Sequence, residues 1–106
     1  MPKYLIKASY TSEGARGFTK EGGSSRRDTI AKLAQNSGGS LESFYFAFGQ
    51  TDAYVVCDMP DNATAAAVAL AVNSSGAASA ETVILMTPEE VDEATKKSVD
   101  YRPPGG

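Results

Sequence analysis

Five side chains in this 106-residue chain stand where chemistry would want them: Lys7, Arg26, Asp52, Tyr54 and Asp58. Lys7 lies mid-run in Lys3–Tyr10 (KYLIKASY), between Ile6 and Ala8, and on the same side of an alternating strand as Leu5 and Ser9. If that side is interior, the ammonium stands in a partly apolar cavity and its pKa falls, as proton-transfer lysines require. If it is a rim, the lysine snorkels to water. Asp58 shares a strand side with Tyr54 and Val56. It is either a partner for a cation such as Lys7 or a strand-end carboxylate. Asp52 ends the turn Gly49–Asp52 (GQTD). There it either bonds neighbouring amides as a turn residue or serves as an acceptor or general base at the mouth of an interior. Arg26 belongs to GGSSRR, Gly22–Arg27. Helix N-terminal amides, two hydroxyls and an arginine at this spacing can converge on a phosphate or carboxylate. Arg26 precedes Ile30 by four residues and so leans to the core side of its helix. The same run also suits a helix-stop, helix-start junction, and no Gly-Lys-Thr follows to make it a P-loop.

The missing residue types narrow the chemistry. There is no histidine, which removes the commonest base and metal ligand near neutrality. With one cysteine as well, a zinc site, a Ser-His-Asp set or a Cys-His set is not expected, nor is a cofactor. Cys57 is flanked by Val55, Val56 and Met59 and reads as a small buried hydrophobe rather than a reactive thiol. Glu89, Glu90, Asp92 and Glu93 cluster on one segment, where helix capping and solubility explain them. The net charge of −3, from 10 basic and 13 acidic residues, lacks the basic stripe of a sequence-independent nucleic-acid binder. No apolar run approaches the ~20 residues that span a bilayer. The opening MPKYLIK has no apolar h-region, so the expected location is cytoplasmic and no membrane partner is expected. The glycosylation-like patterns at Asn62 and Asn73 are then chance matches.

These side chains need elements to hold them. Lys3–Tyr10 reads as a strand with Tyr4, Ile6, Ala8 and Tyr10 on one side. Ala15 and Phe18 suggest one short helical turn, ended by Gly22-Gly23. Ser24 or Ser25 can cap the next helix, whose stripe is Ile30, Leu33 and Ala34 and whose stop is Gly38-Gly39. Ser40–Phe48 is the second strand, with Glu42, Phe44, Phe46 and Phe48 on one side and Leu41, Tyr45 and Ala47 on the other. The third strand runs from Ala53 to Met59, and Pro60 ends it. Asp61 or Asn62 caps an alanine-rich helix to about Ser75. Thr82–Thr87 is the fourth strand. Thr87-Pro88-Glu89-Glu90 starts a last helix, a surface element with Val91 and Ala94 as its apolar contacts. The domain is expected to span residues 1–99, with 100–106 as an extended or mobile tail.

The order β-α-β-β-α-β plus a C-terminal helix is the α+β, ferredoxin-like split βαβ arrangement. Both crossovers go to one face of a four-stranded antiparallel sheet and leave the other bare. A face against water should be polar. Here neither is. One choice bares Phe44, Phe46 and Phe48, the other Leu41 and Tyr45; the fourth strand bares either Ile84 and Met86 or Val83 and Leu85. A second copy, sheet against sheet across a two-fold axis, is the simplest cover, giving a dimeric α/β barrel. The last helix or tail could cover part of the face instead.

Three stretches carry a family likeness: MPKYLIKASYT with EGARGFTKEGGSSRR, then ESFYFAFGQTDAYVVCDMPDNATAAAVALAVNSSGA, then LMTPEEVDEA. Across nearly the whole chain the sequence resembles the GYD-domain family of small bacterial proteins. The resemblance implies a ferredoxin-like, dimeric α/β barrel without an assigned activity. The family's Gly, variable residue, Tyr and Asp would fall on the hairpin turn. Gly49 and Asp52 match; Thr51 stands where the tyrosine would be, and Tyr54, two residues beyond Asp52, could supply a phenolic hydroxyl from a different position. Related dimeric barrels include cofactor-free monooxygenases and lactone isomerases. The expected function is binding of a small apolar or anionic molecule by a homodimer, with Lys7, Arg26, Tyr54 and Asp58 at the ligand. The alternatives are a cofactor-independent isomerase or monooxygenase acting on a small aromatic or lactone, with Lys7, Asp52 and Tyr54 as catalytic candidates, or a structural or regulatory oligomer.

Overall fold

The computed structural model describes all residues, Met1–Gly106. Four strands, β1 (Lys3–Tyr10), β2 (Ser40–Phe46), β3 (Ala53–Asp58) and β4 (Ala78–Leu85), form one sheet in the order β2-β3-β1-β4. Every neighbouring pair is antiparallel. Helices α1 (Ser12–Glu21) and α2 (Gly23–Asn36) connect β1 to β2, and α3 (Asn62–Ser74) connects β3 to β4. The last helix, α4, spans Pro88–Thr95. This α+β arrangement is consistent with a ferredoxin-like fold. No helix is long and apolar enough to cross a membrane.

The short helical turn expected at Ala15–Phe18 is instead a ten-residue helix. Thr11 caps it by accepting from the Gly14 N–H, while the Thr11 N–H donates to the Ala77 carbonyl at 3.0 Å. Gly14 permits that approach: a Cβ there would stand 1.9 Å from the Ala77 oxygen. Gly22, at φ 88°, then breaks the backbone between α1 and α2 in a region open to glycine.

Two strand boundaries and one face also differ from expectation. β4 starts at Ala78, not Thr82, because Ala78–Glu81 pair with Lys7–Tyr10 of the long first strand. β2 ends at Phe46, leaving Phe48 wholly exposed. A register shift between Leu41 and Ser43 makes Glu42 the extra residue of a bulge. Leu41 therefore lies opposite Cys57, on the side of Phe44 and Phe46, and Glu42 reaches Lys3 on the other side.

The core sits between the sheet and α2 and α3. Tyr4, Ala34, Cys57, Met59, Ala65 and Val68 are buried together, with Ile6, Leu33 and Val72 packed against them. Fully burying a valine- or leucine-sized side chain contributes about 1.5–3 kcal/mol. Alanines on α3 let its axis lie close to the sheet. The one polar atom of this cluster, the Tyr4 hydroxyl, donates to Asn62 Oδ1 at the start of α3. Asp61 caps that helix through the Thr64 N–H.

Helix α4 has the capping box expected of it, Thr87 with Glu90, and Pro88 in the first turn. Its expected apolar contacts do not form. Val91 is exposed, and α4 packs on no other element beyond marginal contact. The radius of gyration is accordingly 16.8 Å, against about 13 Å for a globular chain of this length. The C-terminal arm thus leaves the second sheet face uncovered.

Candidate ligand-binding site

The two sheet faces differ in what they meet. Strand alternation sends Tyr4, Ile6, Ala8, Val55 and Cys57 toward the helices. Leu5, Lys7, Val56, Val83 and Leu85 go to the open side, in rungs set by the pairings Leu5 with Val56 and Val83. The phenylalanines of β2 are on the helix side. Phe46 stacks on Phe18 of α1 at 4.7 Å between ring centroids and meets Phe44 at 4.9 Å. Tyr10 extends the row at 5.4 Å from Phe18. Sequence reasoning had placed Phe18 only in a short turn, so this aromatic row was missed.

Beneath the row lies a cavity of about 60 Å³ between the sheet and helices α2 and α3. It exists because small residues, Ala8, Ala34, Ala78 and Ala80, face larger ones, Ile30, Leu33 and Phe44, across a gap the side chains do not fill. Fifteen residues line it and fourteen are apolar. The exception is Arg26, in the first turn of α2. Its Nε is shut off from solvent and has no hydrogen-bond partner. Arg26 and Tyr10 also line an outer cleft of about 230 Å³ beside Glu13, Phe18 and Glu21.

The other anticipated site residues lie elsewhere. Lys7 is on the open face, with its Nζ 3.8 Å from Glu81 Oε2 and Tyr54 opposite it across the ladder. Asp58 is on that face too, but its cation is Lys3 rather than Lys7, at 3.1 Å. The antiparallel register decides this, since Lys3 pairs with Asp58 and Lys7 with Tyr54. Hydrogen bonds from Lys3 to Asp58 and then Glu42 raise the Lys3 pKa above its usual 10.5. Asp52 clasps the hairpin to β1: its Oδ2 accepts the Tyr10 N–H at 2.9 Å, and its own N–H donates to the Ala8 carbonyl. The structure therefore brings Lys7, Tyr54 and Asp58 to one face and leaves Arg26 on the other.

Cys57 is buried, and burial together with the nearby Asp58 charge pushes its thiol above 9.0. It lines the cavity as an apolar group.

A four-stranded antiparallel sheet covered on one side, with an apolar pocket under that cover, defines a small α+β domain. Within that class the family is shown by sequence. The family model of the GYD domain matches residues 4–95, and the chain belongs to that family. No curated protein and no solved structure gives a significant match.

Proposed function

We propose that this GYD-domain protein binds a small apolar molecule between its sheet and helices α2 and α3, as a homodimer joined through the open sheet faces. The observation that carries the binding reading is the cavity itself, apolar at fourteen of its fifteen lining residues. Ligand pockets are concave and mostly apolar, with few polar groups to fix orientation. A cavity whose polar equipment is one guanidinium suits recognition.

The open face supports the dimer. Leu5, Val56, Val83 and Leu85 form its centre, with Lys3, Lys7, Asp58 and Glu81 around them. Both signs of charge occur, so a copy turned about a two-fold axis can oppose cation to anion while the apolar centres meet. The arm that follows β4 does not cover this face. Two such sheets would make an eight-stranded α/β barrel.

Sedimentation should give one species at twice 11.1 kDa. A persistent single-chain mass at the highest soluble concentration overturns the dimer. Titration with toluene, followed by amide chemical shifts, should move Val55, Val68 and Ala78, which line the cavity. Unmoved shifts at toluene saturation overturn the pocket.

A further inference from the structure

We infer that the cavity takes an apolar monocarboxylate, a small ring or short acyl chain whose carboxylate is held by the Arg26 guanidinium at the cavity mouth. This rests on the pocket reading above and adds the ligand's charge and size.

A buried N–H donor without an acceptor is expensive, and such groups are ordinarily bonded. The ion pairs of this chain use Lys3, Lys7 and Arg27, and none uses Arg26. Arg26 Nε has no acceptor of any kind. Its own helix makes matters worse. Arg26 lies in the first turn of α2, where the macrodipole repels a cation, that turn carries no acidic residue, and Gly22 supplies no side-chain cap. The arginine charge and the positive end of the helix dipole therefore add, and together they call for an anion.

The surroundings select which anion. Glu13 and Glu21 line the outer cleft with Arg26, yet neither carboxylate comes within ion-pair distance of it. Glu21 is held by the hydroxyls of Ser25 and Thr29. Two carboxylates at the rim oppose a dianion such as a phosphate monoester. They oppose a single charge sunk beside the guanidinium much less. A planar carboxylate also matches the guanidinium fork, which can give it two parallel hydrogen bonds. Behind Arg26 the lining is wholly apolar. A cavity of 60 Å³ holds the equivalent of about four or five water-sized spheres, room for an apolar body of about six heavy atoms.

Benzoate and its neutral counterpart benzyl alcohol test this, by calorimetry and by amide shifts on the full chain. Benzoate should bind at least about tenfold more tightly than benzyl alcohol. Arg26→Met should erase that preference, lowering benzoate affinity far more than benzyl alcohol affinity. It should also melt no lower than the wild type, because it removes a buried Nε–H that has no acceptor and keeps the aliphatic stem. Arg26→Lys, which keeps the charge but not the fork, should retain part of the preference and stands in if Arg26→Met does not fold. Equal affinity for the two probes in the wild type, or a preference that survives both substitutions, overturns the inference and leaves the pocket intact. Failure of benzoate, benzyl alcohol and toluene alike overturns the pocket reading with it.

Discussion

The two sides of this sheet are built from similar residues and pack differently. The covered side sets small alanines against large aromatics, so packing leaves a void there. The open side carries medium-sized aliphatics, Leu5, Val56, Val83 and Leu85, interleaved with paired charges. The ligand proposed above would occupy the first, and the proposed dimer would form through the second. Hydrophobicity alone does not separate them. The mix of side-chain sizes and the presence of ion pairs do.

The sharpest way to break this contrast uses adjacent residues. Val55 is buried against the helices, and Val56, one residue on, faces the open side. Val55→Asp places an unpaired carboxylate in the core at a cost of several kcal/mol, comparable with the whole stability of a small domain. It should abolish the cooperative thermal transition. Val56→Asp should leave the protomer folded by circular dichroism and shift sedimentation to the single-chain mass. A folded Val55→Asp protein, or an intact Val56→Asp dimer, would show that the faces are misassigned.

A milder pair probes the second strand. Phe46 stacks between Phe18 and Phe44, so Phe46→Ala should cost about 3 kcal/mol in denaturant unfolding. Its neighbour Tyr45 is exposed, and Tyr45→Ala should change protomer stability by no more than about 0.5 kcal/mol. Equal losses would mean that the aromatic row contributes no more than any surface ring.

How much of this was legible beforehand differs between the elements. The hairpin, the alanine-rich helix and the capping box at Thr87 carried local signals strong enough to read directly. Helix α1 did not, because Gly14 and Gly17 look like helix breakers. Gly14 is there for its approach to Ala77, a contact between segments far apart in sequence. The start of β4 has an alanine-serine composition with little strand preference, and it becomes a strand only by pairing with β1. The bulge at Glu42 turned Leu41 to the other side, which no alternation rule anticipates. In the site, the lean of Arg26 toward the core followed from its spacing to Ile30. The partner of Asp58 did not follow, because it depends on register: the rung that sets Lys3 there sets Lys7 beside Tyr54.

The smallest expected effect concerns pH, and it too contrasts the two sides. Tyr4 and Cys57 oppose each other on the covered side, and Lys3 and Asp58 form the next rung on the open side. Burial raises the Cys57 thiol above 9.0, the Asp58 charge adding to it and the Lys3 charge opposing. Burial raises the Tyr4 phenol above 10.0, with Asp61 adding. Hydrogen bonds to Asp58 and Glu42 raise Lys3 above 10.5. In each case the folded chain keeps a proton that the unfolded chain releases at lower pH. Stability is therefore full below about pH 9 and falls as pH rises through the raised values. The melting temperature should hold steady to about pH 9 and then decline. Cys57→Ala removes the group with the lowest starting value and should delay the onset toward the tyrosine range. Lys3→Met should leave the onset in place and flatten the later part of the decline, because its ordinary value, 10.5, is the highest of the three. A melting temperature that stays level to about pH 11 would mean that neither burial on one side nor the ion pairs on the other distinguish the folded protons from the unfolded ones. If the onset moved with Lys3→Met and not with Cys57→Ala, the open side would govern alkaline unfolding and the covered rung would be the more tolerant of charge.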